Sequence, residues 1–168
     1  AEIAKNAFIK AAETAKNAGK KVALSLSDSF CVSRHRESFI ELVEDYIDIL
    51  FANEDEITTL YKTSNLNLAI EKLKKKCELA AITIGKHGSI LISNGKEISI
   101  DPFIFGKAID TTGAGDLYAG GFLKGLSEGL NPLISAKIGS ICAGQIVTQL
   151  GSRSNTNLIN LVKSNLQV

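Results

Sequence analysis

Three short apolar runs separated by helical patterns constrain this chain more than any other feature. KVALSLS (21–27), IDILFA (47–52) and LAAITIG (79–85) have strand length and strand composition. Between them stand RHRESFIELVEDY (34–46), NEDEITTLY (53–61) and NLAIEKLKKKC (67–77), with the spacing of amphipathic helices. Strands that alternate with helices indicate βαβ units and a mostly parallel sheet, the α/β class.

A different pattern follows. GSILISNGKEISID (88–101) reads as two short strands joined by Asn94-Gly95, which predicts an antiparallel hairpin at one side of the sheet. Helices are predicted over 2–18, stopped by Gly19, and over 114–129, 132–149 and 157–165. No linker or repeat interrupts the chain, so 1–168 is expected to be a single α/β domain or part of one.

Lys and Arg number 19 and Asp and Glu 18, giving a net charge of +1, too even to suggest a nucleic-acid or membrane-surface partner. Cys31, Cys77 and Cys142 are odd in number and widely spaced, which argues against a disulfide framework and fits a reducing, cytoplasmic setting. The chain opens inside a helical pattern and has no methionine, so a piece of a longer protein is expected.

DTTGAGDLYAGGFLKGL (110–126) carries the chemistry. It matches neither the dinucleotide fingerprint nor the P-loop. Its small residues nevertheless leave backbone N–H groups uncovered where a helix starts, and these favour an anion. Asp116 adds negative charge to that place. A carboxylate beside a phosphate is costly unless it acts, for instance as general base for an attacking hydroxyl. The plain alternative is a threonine N-cap followed by a helix with an acidic first turn.

This stretch resembles the C-terminal signature of the PfkB, or ribokinase-like, carbohydrate kinases. ANEDE (52–56) resembles that family's N-x-x-E element, and TIGKHGS (83–89) its nucleotide-binding T-x-G-x-x-G turn. SLSDSFCVSRHR and DILFANEDE are most similar to the adenosine-kinase-like branch. The resemblance covers essentially the whole chain but only the family's nucleotide-binding half. It implies a three-layer α/β/α ribokinase-like sandwich whose N-terminal substrate and lid half is not represented here.

The resemblance also implies roles. Asp116 would be the general base, and Gly113, Ala114 and Gly115 the anion hole. Thr83, Gly85 and Gly88 would contact the nucleotide; the plain alternative is a turn that needs glycine. Asn53 and Glu56 would hold Mg²⁺ through waters; the plain alternative is a helix capping box. Asp110, Thr112 and Gly151 match the positions where some branches bind a monovalent cation such as K⁺. The helix carrying Gly139 to Gly144 would wall the adenine. The implied activity is ATP-dependent phosphorylation of a sugar or nucleoside hydroxyl, with adenosine kinase proper or a non-catalytic nucleotide-binding fragment as alternatives. Exposed sheet surface would favour a homo-oligomer.

Overall fold

The computed structural model describes residues 2–166. The ends of the expected domain, residues 1, 167 and 168, lie outside the described residues. Five strands stand in the order β1-β2-β3-β4-β5. The described residues divide into two compact units, residues up to Ile82 with Ile92–Glu97, and Thr83–Leu91 with residues from Ile98 onward.

The first unit opens with α1 (Glu2–Asn17) and β1 (Ala23–Ser25). β1 pairs in parallel with β2 (Ile49–Asn53), Leu24 opposite Leu50. The predicted seven-residue first strand thus shortens to three. At one end the Val22 N–H donates to the Asp48 carboxylate (2.7 Å). At the other, Ser27 takes φ 62° and Asp28 turns to cap α2 (Ser29–Arg34), accepting the Phe30 N–H.

The helix predicted over 34–46 is present but starts two residues later, behind the unpredicted α2. His35 closes α2 through its N–H to Cys31 O, at non-helical φ −125°, ψ 28°. The chain then restarts as α3 (Arg36–Asp45). α4 (Glu54–Leu60) follows β2 directly, and α5 (Leu66–Leu73) is capped by Asn65. β3 (Leu79–Thr83) is buried at Ala80, Ala81 and Ile82. Leu50, Ile57, Leu60, Ile70 and Leu73 fill this unit's core. β4 (Ser89–Ser93) and β5 (Lys96–Ile100) form the predicted hairpin. Asn94 and Gly95 both have positive φ, as a type I′ turn requires.

The second unit is built on α6 (Ala114–Ser127) and α7 (Pro132–Ile146), followed by α8 (Leu158–Leu166). Asn131 caps α7 by accepting the Ile134 N–H (3.0 Å), and Pro132 occupies its first turn, where no N–H is needed. α6 and α7 meet through small residues. A Cβ at Gly121 would come within 2.9 Å of Cys142 Sγ and 3.1 Å of Gly139 Cα. One at Gly139 would stand 2.7 Å from Tyr118 O, and one at Gly125 2.7 Å from Ser135 Oγ. Beside this crossing the buried Tyr118 hydroxyl bonds Ser89 Oγ at 2.8 Å. Phe122, Ile141 and Ile146 complete the core.

Gly120 and Gly139 therefore make opposite predictions, to be read by urea unfolding. At Gly120 a Cβ meets nothing within 4 Å. Gly120→Ala should stabilise by up to about 1 kcal/mol through helix propensity. Gly139→Ala should destabilise by about 1–3 kcal/mol, because the methyl group meets backbone.

Candidate active site

β3 ends at Thr83, and a single 3₁₀ turn, Gly85–His87, leads into β4. Ile84 N–H donates to Gly88 O (2.9 Å) and Gly88 N–H to Gly85 O (3.2 Å). Gly88 has φ 90° and ψ −129°, and a Cβ there would overlap Ile100 O. Only glycine fits the position.

A second loop leads into α6. Asp110 holds it with both carboxylate oxygens: Oδ1 accepts the Thr112 N–H and Oδ2 the Gly151 N–H, each at 2.9 Å. The Thr112 side chain, then the Gly151 and Thr112 N–H groups, hold the Asp110 carboxyl down at about 2 from an ordinary 3.8. Gly113, not a threonine, is the N-cap of α6. It is left-handed (φ 79°) and gives no side-chain cap. No side-chain oxygen of the N-cap therefore covers the first-turn N–H groups, which keeps that end of the helix dipole available to an anion. Gly113 also lies against Ser152, whose Cβ would be 2.6 Å from an added Cβ.

The two loops meet in a cavity of about 460 Å³. Thr83, Gly85 and Gly88 line it from one loop, and Thr111, Ala114 and Gly115 from the other. Its remaining wall is mainly apolar: Pro102, Phe103 and Ile104, with Ala143, Gly144 and Val147 of α7 and its end. Gly144 belongs here because Phe103 O packs against its Cα, leaving no room for a side chain.

Asp116 is exposed and faces elsewhere. It lines a second cavity of about 650 Å³, with Leu117, Gly120 and Lys124 of α6, Cys142 of α7, and Leu158 and Val162 of α8. Sequence proximity suggests one pocket for 113–116. The structure divides them because successive helical residues point about 100° apart. Gly113 lines neither cavity and sets the bend instead.

Asn53 and Glu56 belong to the first unit, where they form a complete capping box. Glu56 N–H donates to Asn53 Oδ1 (2.8 Å). Asn53 N–H and Nδ2 donate in return to the two Glu56 oxygens (2.9 and 2.8 Å). Glu56 is only 5% exposed, and burial pushes its carboxyl up against the opposing Asn53 hydrogen bond. Each oxygen keeps a free lone pair, so this pair fits metal held through water. Among the described residues no group of three or more His, Cys, Asp or Glu converges as a direct metal site.

Sequence reasoning missed part of the cavity wall. The segment 101–109 has no regular element and no motif, yet it supplies Pro102, Phe103, Ile104, Gly106 and Ala108. Within 139–144, Ser140, Ala143 and Gly144 line the cavity, whereas Gly139 serves helix packing. The glycine spacing along α6 and α7 was the available signal, but it does not say which glycines face a neighbour and which a cavity.

The pattern of the pfkB family carbohydrate kinases matches residues 1–158. The chain belongs to that family. It is 30% identical over 133 residues to a ribokinase of Lactococcus lactis, covering 79% of this chain and 42% of that protein. It is 32% identical over 121 residues to a nucleoside kinase of Methanocaldococcus jannaschii, covering 71% and 39%. The crystal structure of adenosine kinase from Sinorhizobium meliloti superposes with a TM-score of 0.91 at 38% identity, covering 96% of this chain and 50% of that one. The fold is accordingly the α/β ribokinase-like sandwich. The chain spans half or less of the length of these three proteins.

In this pfkB-family chain the Asp110 clasp should be visible in acid. Its folded pKa lies below the ordinary value, so its stabilisation is present above about pH 3.8 and is lost as pH falls toward about 2. The melting temperature of Asp110→Asn should lie below that of the parent at pH 5–7. The gap should close between about pH 4 and 2, as scanning calorimetry at stepped pH would show.

Proposed function

We propose that this chain supplies the nucleotide-binding and catalytic part of an ATP-dependent kinase that phosphorylates a sugar or nucleoside hydroxyl. The observation that carries the reading is the start of α6. Its uncapped first turn lines one cavity through Ala114 and Gly115, and its exposed carboxylate, Asp116, lines another. The N–H groups of that turn would meet the transferring phosphate and the adjacent carboxylate the acceptor hydroxyl, which must lie in line with the γ-phosphorus.

In this reading the triphosphate lies in the cavity shared by Thr83, Gly85, Gly88, Ala114 and Gly115, and the base lies along Ala143, Gly144 and Val147. Asp116 takes the acceptor hydroxyl proton. The acceptor oxygen forms its bond to the γ-phosphorus, and the bond to the bridging oxygen breaks, with its electron pair leaving on ADP. N–H groups of the α6 first turn stabilise the charge on the transferring group. Gly113 provides the bend that brings them there. Mg²⁺ would offset phosphate charge; Asn53 and Glu56 would orient its waters. Asp110, Thr112 and Gly151, already linked through the Asp110 carboxylate, offer hard oxygen donors for K⁺. Three free thiols support a reducing, cytoplasmic compartment.

The length comparison favours a second reading for the chain by itself, nucleotide binding with little turnover. Positioning contributes on the order of 7–11 kcal/mol in well-oriented reactions, and half the length of the matched adenosine kinase lies outside this chain's match. Calorimetry should show the chain binding a non-hydrolysable ATP analogue with Mg²⁺, while assays with ribose, fructose and adenosine show only slow phosphorylation. Absence of nucleotide binding would overturn the donor-site reading.

The catalytic assignment has its own test. In a turnover-competent form of the protein, Asp116→Asn should lower kcat by about 10²–10⁴ and leave nucleotide affinity within about twofold. Steady-state kinetics alongside calorimetry separate the two; equal losses in both would make Asp116 a binding residue.

A further inference from the structure

We infer that Lys86 pairs with the polyphosphate of the nucleotide bound in the 460 Å³ cavity, and this rests on the donor-site reading above. Lys86 is the middle residue of the 3₁₀ turn Gly85–His87. It is the one charged side chain among the residues lining the cavity, and no carboxylate lines it. A polyanion entering an otherwise uncharged, partly apolar cavity loses hydration, and a cation at the wall offsets that loss.

The turn fixes the backbone that carries the lysine. His87 N–H donates to Ile84 O (3.2 Å), and the Gly88 carbonyl and N–H close the turn on either side. Gly85 and Gly88 both take positive φ, so the backbone bends back and leaves Lys86 standing at the cavity wall. Ala114 and Gly115, at the positive end of α6, line the same cavity, and the two sources of positive potential share one space. Lys86 also has no competing role. Lys5, Lys21, Lys74, Lys76 and Lys124 form ion pairs, and among the described residues Lys86 forms none. Lys107, in the adjoining loop, does not line the cavity although its neighbours Gly106 and Ala108 do.

The inference separates the phosphates from the rest of the nucleotide. Thr83 and the glycines shape the turn, and the apolar wall takes the base. Lys86 acts on charge alone, so its contribution should grow with the number of phosphates. Arginine should replace it in large part, because the requirement is a cation on a long side chain.

The test is calorimetry on the full chain with Mg²⁺ and, in turn, AMP, ADP and a non-hydrolysable ATP analogue. Lys86→Ala should weaken the ATP analogue about tenfold, ADP less and AMP least, and should reduce the dependence of binding on salt. Lys86→Arg should recover most of the loss. Lys10→Ala, which removes an exposed charge from α1, should bind like the parent. Unchanged melting temperature keeps a folding defect out of the result. Equal affinity of parent and Lys86→Ala for the ATP analogue overturns the inference, and so does an equal loss for all three nucleotides. If the parent binds none of them, the donor-site reading fails and this inference fails with it.

Discussion

The close crossing of α6 and α7 is the constraint on which the second unit depends. Gly121 and Gly125 bring α6 onto Ser135, Ile138 and Cys142, and Gly139 lets Tyr118 settle on α7. Contact at backbone distance leaves few alternative arrangements, because interiors are packed like solids. That crossing sets where α6 begins relative to Ala143, Gly144 and Val147, and so gives the 460 Å³ cavity its two walls. Tyr118 links the crossing to β4 through Ser89, in a buried hydrogen bond that would be costly to leave unpaired.

At the entrance to α6 a second constraint acts on charge instead of shape. Asp110 spends its carboxylate on the N–H groups of Thr112 and Gly151, holding the approach to the helix against the loop that follows α7. Gly113 then turns the chain in a conformation that side chains rarely adopt. The result is a helix whose first turn carries no side-chain cap. Elsewhere in the chain Asp28, Asn53, Asn65 and Asn131 cap their helices in the ordinary way. α3, whose N-cap His35 makes no side-chain bond, is likewise uncapped; at α6 the uncapped turn stands where an anion site is proposed, and an anion would supply the missing acceptor.

The capping box at Asn53 and Glu56 illustrates how one motif admits two meanings. Its N-x-x-E spacing is a helix start by geometry, and the structure contains that box in full. A metal role draws on the same atoms. Glu56 is buried with both oxygens accepting from Asn53, and desolvation, with nearby Asp28 and Asp55, opposes its ionised form while the Asn53 hydrogen bond favours it.

Much of the chain was legible before its structure, because local rules decide it. The alternation of apolar runs and helices, the Asn94-Gly95 turn and the helix start at Ala114 all follow from periodicity and backbone preference. Where neighbours compete for the same groups, the sequence was a poorer guide: β1 shortened when Asp48 took the Val22 N–H, and α2, which was not predicted, ends where His35 leaves helical geometry, so that α3 starts only at Arg36. The cavity wall at 101–109 carried no local signal, since its place depends on Phe103 meeting Gly144 across distant sequence. The sequence by itself determined the α/β class, because alternating apolar runs and helical patterns set it, and it offered residues of DTTGAGD as candidates for an anion or a proton, because small residues at a helix start leave N–H groups uncovered. Only the tertiary structure decided that Ala114 and Gly115 line one cavity and Asp116 another. The direction in which a helical residue points acquires a meaning only when other elements pack around it.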